Sequence, residues 1–127
     1  MAYYFSKTLD LPFDRAIDAT VAALKAHGFG VLTRIDVQAT MKEKIGAEFR
    51  PYVILGACNP QMAHKALQAE DKIGTMLPCN VIVQERDGKS EVAAVDPVAS
   101  MQAIQNPALA SIAGEVQARL KAAIDAL

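Results

Sequence analysis

The 127-residue sequence lacks a surplus of either charge: 13 lysines and arginines stand against 14 aspartates and glutamates, mixed along the chain, for a formal net charge of -1. This excludes the basic stripe that nucleic acid requires and the polybasic patch that an anionic membrane requires. No apolar run approaches the roughly 18 to 20 residues of a membrane helix, and Met1 to Asp10 has neither the basic nor the apolar region of a signal peptide, so the chain reads as cytoplasmic. Only two cysteines, Cys58 and Cys79, and two histidines, His27 and His64, are present. Without a Cys-x-x-Cys or His-x-x-x-His pair, a zinc site has no support. The glycines form no phosphate-cradling loop, and no acid-base pair, catalytic triad or cofactor fingerprint stands out, so the sequence names no cofactor and leans away from an enzyme. No repeat, low-complexity tract or linker divides the chain. One domain is expected over residues 1–127, long enough to bury about two thirds of the surface of its unfolded form.

What is present is a regular alternation of strand and helix patterns. Tyr3, Phe5 and Lys7 alternate with Tyr4, Ser6 and Thr8 as a first strand, and Phe13, Ile17, Val21 and Leu24 make one helical stripe closed by Gly28. A strand is predicted from Phe29 to Asp36, with Phe29, Val31, Thr33 and Ile35 on one face. Asp36 is then an N-cap for a short helix in which Val37, Met41 and Ile45 recur every four residues and Gly46 ends the turn. The stretch PYVILGACNP, Pro51 to Pro60, reads as a buried strand that ends in Cys58 just before a helix N-cap, Asn59, and a first-turn proline. That helix runs to about Glu70, with Met62, Ala63, Ala66 and Leu67 inward. After a connection from Ile73 to Leu77 comes a strand from Cys79 to Glu85, and Asp87-Gly88 folds Ser90 to Val95 back as a hairpin. Val98 to Ile104 is expected to hold a turn of helix. Asn106-Pro107 then opens the longest helix, whose stripe is Leu109, Ile112, Val116, Leu120, Ile124 and Leu127.

The order β-α-β-(α)-β-(α)-β-β-α predicts an α+β fold, a mostly antiparallel sheet with the two longer helices on one face and short extra helices. Strands apolar on both faces, such as Val53 to Leu55 and Val81 to Val83, then need a partner on the other face, and a homodimer is expected.

The segments IDVQATMKEKIG, YVILGACNP, LPCNV and the closing VDP resemble the small bacterial and archaeal domain of unknown function 302, across nearly the whole chain. The resemblance implies a TATA-binding-protein-like α+β fold with a β-α-β4-α layout, a dimer, and a cluster of family-like residues at Asp36, Cys58, Asn59, Pro60, Pro78, Cys79 and Asn80. It brings no established activity.

The candidate site is therefore the pair of Cys-Asn dipeptides, Cys58-Asn59 and Cys79-Asn80, with Asp36 as an acid that could face them. A helix N-terminus beside Cys58 favours thiolate, which would make it the more reactive thiol, whereas burial at a strand end would leave it an inert small hydrophobe. Cys79 has no such dipole. Asn59 and Asp36 have sufficient reason as caps, and Asn80 has no capping duty. Two thiols alone suit a two-coordinate soft ion such as copper(I), although nothing in the spacing points to one. His64, one turn into the helix after Cys58, reads as a surface residue. Three functions are compatible with these residues: a small binding module with a thiol-lined pocket for a small molecule, a sulfur species or a soft metal; a non-catalytic homodimeric interaction domain; and a thiol enzyme or sulfur carrier using Cys58.

Overall fold

The computed structural model describes residues 2–127. Among these residues are five strands, β1 (Tyr4–Leu9), β2 (Gly30–Asp36), β3 (Tyr52–Cys58), β4 (Cys79–Arg86) and β5 (Lys89–Val95), and helices α1 (Phe13–Ala26), α2 (Val37–Ile45), α3 (Pro60–Ala69), α4 (Pro97–Ser100) and α5 (Pro107–Asp125), in the order β1-α1-β2-α2-β3-α3-β4-β5-α4-α5. A 3-10 turn, Asp71–Met76, occupies the stretch expected as plain connection. One capping device recurs: Asn59, Asp96 and Asn106 each accept backbone N–H bonds with the side chain, and each precedes a proline whose missing N–H needs no partner in a first turn. Asp87 and Gly88 both have positive φ, 53° and 76°, as the tight β4–β5 hairpin turn requires.

The sheet order is β1-β5-β4-β3-β2, with every neighbouring pair antiparallel. Because β1 and β2 lie on opposite edges, α1 must cross the sheet between them, and it packs against β2, β4, β5 and α5. Strand alternation then sets two faces. Val53, Leu55, Val81, Val83, Val92 and Ala94 point to the helices and are almost fully buried. Against them α1 brings Ile17 and Leu24, and α5 brings Val116, Leu120 and Ile124. The core's few buried polar side chains are paired; Ser90 Oγ, for example, donates to the Leu11 carbonyl at 2.8 Å.

Three expectations are corrected. The β2–β3 register shifts between Val31 and Thr33, so Val31 pairs with core-facing Ala57 while Thr33 and Ile35 pair with Gly56 and Ile54 on the open face. One extra residue, Leu32, reverses the alternation, and the four residues assigned to one face divide between two. Helix α2 forms with its Asp36 and Gly46 caps, yet none of its residues is buried and Ile45 is 71% exposed. Its contacts are with β2 and β3, where Val37 and Met41 of the stripe are only half-buried, so the stripe is shallowly covered and does not join the core. Leu67 on α3 is likewise exposed, at 44%, rather than inward.

Gly56 sets how closely the chain can approach β3 before β4 begins. A Cβ there would lie 2.7 Å from Cγ of Pro78 and closer still to Thr33 Oγ1. Only glycine lets the Leu77-Pro78 segment lie against β3, which is how β4 starts beside the end of β3.

Candidate functional site

The end of β3 and the start of β4 are adjacent, with Ala57 paired to Cys79 and Gly56 to Asn80. Ala57 and Cys79 both face the helices and are buried. Strict alternation would send Cys58 to the other face, but the strand ends there, the chain turns into α3, and Cys58 borders the same cavity as Cys79. That cavity measures about 30 Å³ and is also bordered by Asn59, Met62 and Met101 within an otherwise apolar wall. It lies at a seam. On one side is the main core with Phe29 and Val116, and on the other a smaller cluster built on Ala66, Ile73 and Leu109. Ala57, Ala63, Ala66 and Ala113 border the cavity with side chains too short to close it.

Cys58 is half-buried and Cys79 is buried, and both are free thiols. Burial, reinforced by the neighbouring Cys58, pushes the Cys79 thiol up from 9.0 to about 11. At neutral pH Cys79 is therefore a protonated, weakly nucleophilic thiol. The same shift makes stability depend on alkaline pH. Between pH 9 and pH 11 the unfolded chain gives up this proton while the folded chain keeps it, so the contribution is intact below pH 9 and lost as pH rises through about 11. Denaturant titrations over that window should show wild type losing about 2 kcal/mol more than Cys79→Ala. Parallel pH profiles for the two proteins would refute this.

Asn59 is 8% exposed and caps α3, its Oδ1 accepting the Met62 N–H at 3.1 Å. Asn80, one residue beyond Cys79, points the other way. It lies on the open face, where it borders a separate concavity of about 450 Å³ with Tyr4, Tyr52, Ile82 and Glu91. Asp36 caps α2 by accepting the Ala39 N–H at 2.9 Å and pairs with Val53. Cys58 lies five steps along the strand from Val53, roughly 16 Å at the usual rise, so Asp36 does not face the thiols. His64 is exposed, and His27 bonds through Nδ1 to the Ala23 carbonyl at 2.8 Å. The five predicted site residues thus separate into Cys58, Asn59 and Cys79 at one cavity, Asn80 on the opposite face and Asp36 at the far end of β3.

Sequence reasoning missed Met62 and Met101 as site residues. A signal for Met62 was present in Cys58-x-x-x-Met62, a thiol at a strand end and a thioether one turn into the next helix. Met101 follows α4 and carries no comparable signal. Asp96 was missed as well: its carboxylate accepts from Val98 N–H, from Ala99 N–H and, at 3.0 Å, from Gln117 Nε2 of α5. It thereby fastens α4, and with it Pro97 and Met101 on the cavity wall, to α5.

Residues 5–127 match the family described as Domain of unknown function DUF302. The chain belongs to the DUF302 family. A crystal structure of the uncharacterized conserved protein DUF302 from Bacillus stearothermophilus superposes on it with a TM-score of 0.92 at 30% identity, covering 98% of each chain. No curated protein matches it. The DUF302 chain thus shares with that relative the whole antiparallel sheet and its helices. Among the described residues no helix is long and apolar enough to cross a membrane.

Proposed function

We propose that this DUF302 domain is a small binding module that holds a small, soft species, a sulfur species or a soft metal ion, in the cavity bordered by Cys58 and Cys79. The observation that carries this reading is one cavity with two free thiols on its wall and the half-buried Cys58 for access. Its size narrows the occupant. About 30 Å³ takes one or two water-sized bodies, whereas organic ligands occupy sites of roughly 300 to 1,000 Å³. A reducing cytoplasm, which keeps thiols free, fits the reading. The test is alkylation of native protein, with Cys58→Ser and Cys79→Ser as controls. Cys58 is expected to react first and Cys79 far more slowly, and pre-incubation with hydrosulfide-derived polysulfide or a soft metal should protect both together. If neither thiol reacts faster than global unfolding, the cysteines are packing groups and the reading fails.

A second reading rests on the open sheet face. Ile35, Ile54, Ile82 and Ala93 lie in one register row there, and none of the described helices of the core layer covers them. The face also carries both charge signs in one connected row: Arg50 Nε donates to Gln84 Oε1 and Gln84 Nε2 donates to Glu91 Oε1, each at 2.8 Å. A surface with both signs and a central apolar strip can pair with a second copy of itself about a two-fold axis, so the occupant of this reading is a second DUF302 chain. Sedimentation at micromolar concentration should give twice the 13.6 kDa chain mass, and Ile82→Glu should return the monomer. Wild type sedimenting as a monomer would remove this reading.

A further inference from the structure

The donor atoms around the dithiol cavity sort by softness. Among the described residues four sulfur-bearing side chains border it, Cys58, Met62, Cys79 and Met101, and no carboxylate, imidazole or ammonium group does. Its single amide, Asn59, is already engaged in capping α3. Among the described residues no group of three or more His, Cys, Asp or Glu side chains gathers anywhere, so zinc lacks its tetrahedral set and calcium or magnesium its oxygens. Thiolate and thioether together are the ligands that select copper(I) over harder ions. The volume agrees, since a bare ion fits where an organic ligand does not.

We propose that the cavity is a copper(I) site, with thiolates from Cys58 and Cys79 and thioethers from Met62 and Met101. This rests on the reading of the cavity as a site for a small soft species and adds to it the ion and the two methionines. The chain's own architecture assembles the set. Pairing of β3 with β4 brings the two cysteines to one end of the sheet, the Asn59 cap sets the first turn of α3 with Met62 5% exposed, and the Asp96–Gln117 bond holds α4 and Met101 against α5. On binding, two S–H bonds break, both protons leave to water, and two copper–sulfur bonds form. The thioethers donate lone pairs, copper remains monovalent and nothing is oxidised or reduced. Two thiolates and one monovalent cation leave a single negative charge, which two thioether donors do not increase.

The experiment is an anaerobic titration of the reduced full chain with copper(I) against bathocuproine disulfonate, followed by X-ray absorption at the copper edge. The expected result is one copper per chain in an all-sulfur sphere. Met62→Leu and Met101→Leu keep the side-chain volume, so they should fold as wild type while weakening binding by about 10-fold or more. Cys79→Ala should abolish it. Wild-type affinity in both methionine variants, or nitrogen or oxygen in the copper sphere, overturns the four-sulfur site. In that case polysulfide protection of the two thiols still decides the broader binding reading independently. Failure of wild type to compete with the chelator overturns the copper proposal outright, and loss of thiol protection by every soft species overturns both.

Discussion

Phe29→Ala is expected to cost about 3 to 5 kcal/mol of stability, the range for removing a buried aromatic ring from a packed core. Phe29 is 2% exposed, and its N–H donates to the Leu24 carbonyl at 2.8 Å, which anchors the ring directly after α1. It also forms part of the wall around the two cysteines. Truncation therefore opens a void that joins the existing cavity, and two effects should appear together. Urea titration should show a lower midpoint, and alkylation of native protein should show Cys79 reacting faster relative to Cys58. A stability loss under about 1 kcal/mol would mean that the seam collapses around the missing ring.

Leu120→Ala is expected to destabilise by about 2 to 5 kcal/mol without the second effect. Leu120 is fully buried on α5, in the layer that faces α1 and the sheet, and it does not border the dithiol cavity. Its loss removes transfer free energy of roughly 1.5 to 3 kcal/mol and leaves a void in the centre of the helix layer. Equilibrium unfolding measures the loss, and the ratio of the two thiol reactivities in the folded state should stay at the wild-type value. A change under about 0.5 kcal/mol, typical of surface positions, would make α5 peripheral. Together the two variants separate destabilisation of the core from opening of the site.

The elements with strong local chemistry were legible before any tertiary contact was known. Asn59-Pro60 and Asn106-Pro107 start helices because an amide cap and a proline first turn are complete within a few residues. Asp87-Gly88 makes the hairpin because those two residues accept positive φ. The buried stripe of α5 at Leu109, Val116, Leu120 and Ile124 is legible in the sequence, since a period of 3.6 over 19 residues is hard to mistake. The short α2 shows the limit of that logic. Its period is as regular as that of a core helix, but periodicity says which residues share a face and nothing about whether another element arrives to cover it.

The sequence by itself determined the list of strands and α-helices, the caps, the hairpin turn and the α+β class, because each depends on interactions within a few residues or on a repeat that one segment displays alone. Only the tertiary structure decided the strand order β1-β5-β4-β3-β2, and with it which direction each side chain of a doubly apolar strand points. A period of two leaves the sign of the alternation open when both faces are apolar, and one extra residue reverses it. So Cys79 turns into the helix layer and Asn80 away from it, Leu32 moves Thr33 and Ile35 to the open face, and Met62 and Met101, distant in the chain, come to the same cavity as the thiols. These placements depend on register and on which helices meet over the sheet, quantities set by packing among segments far apart in sequence.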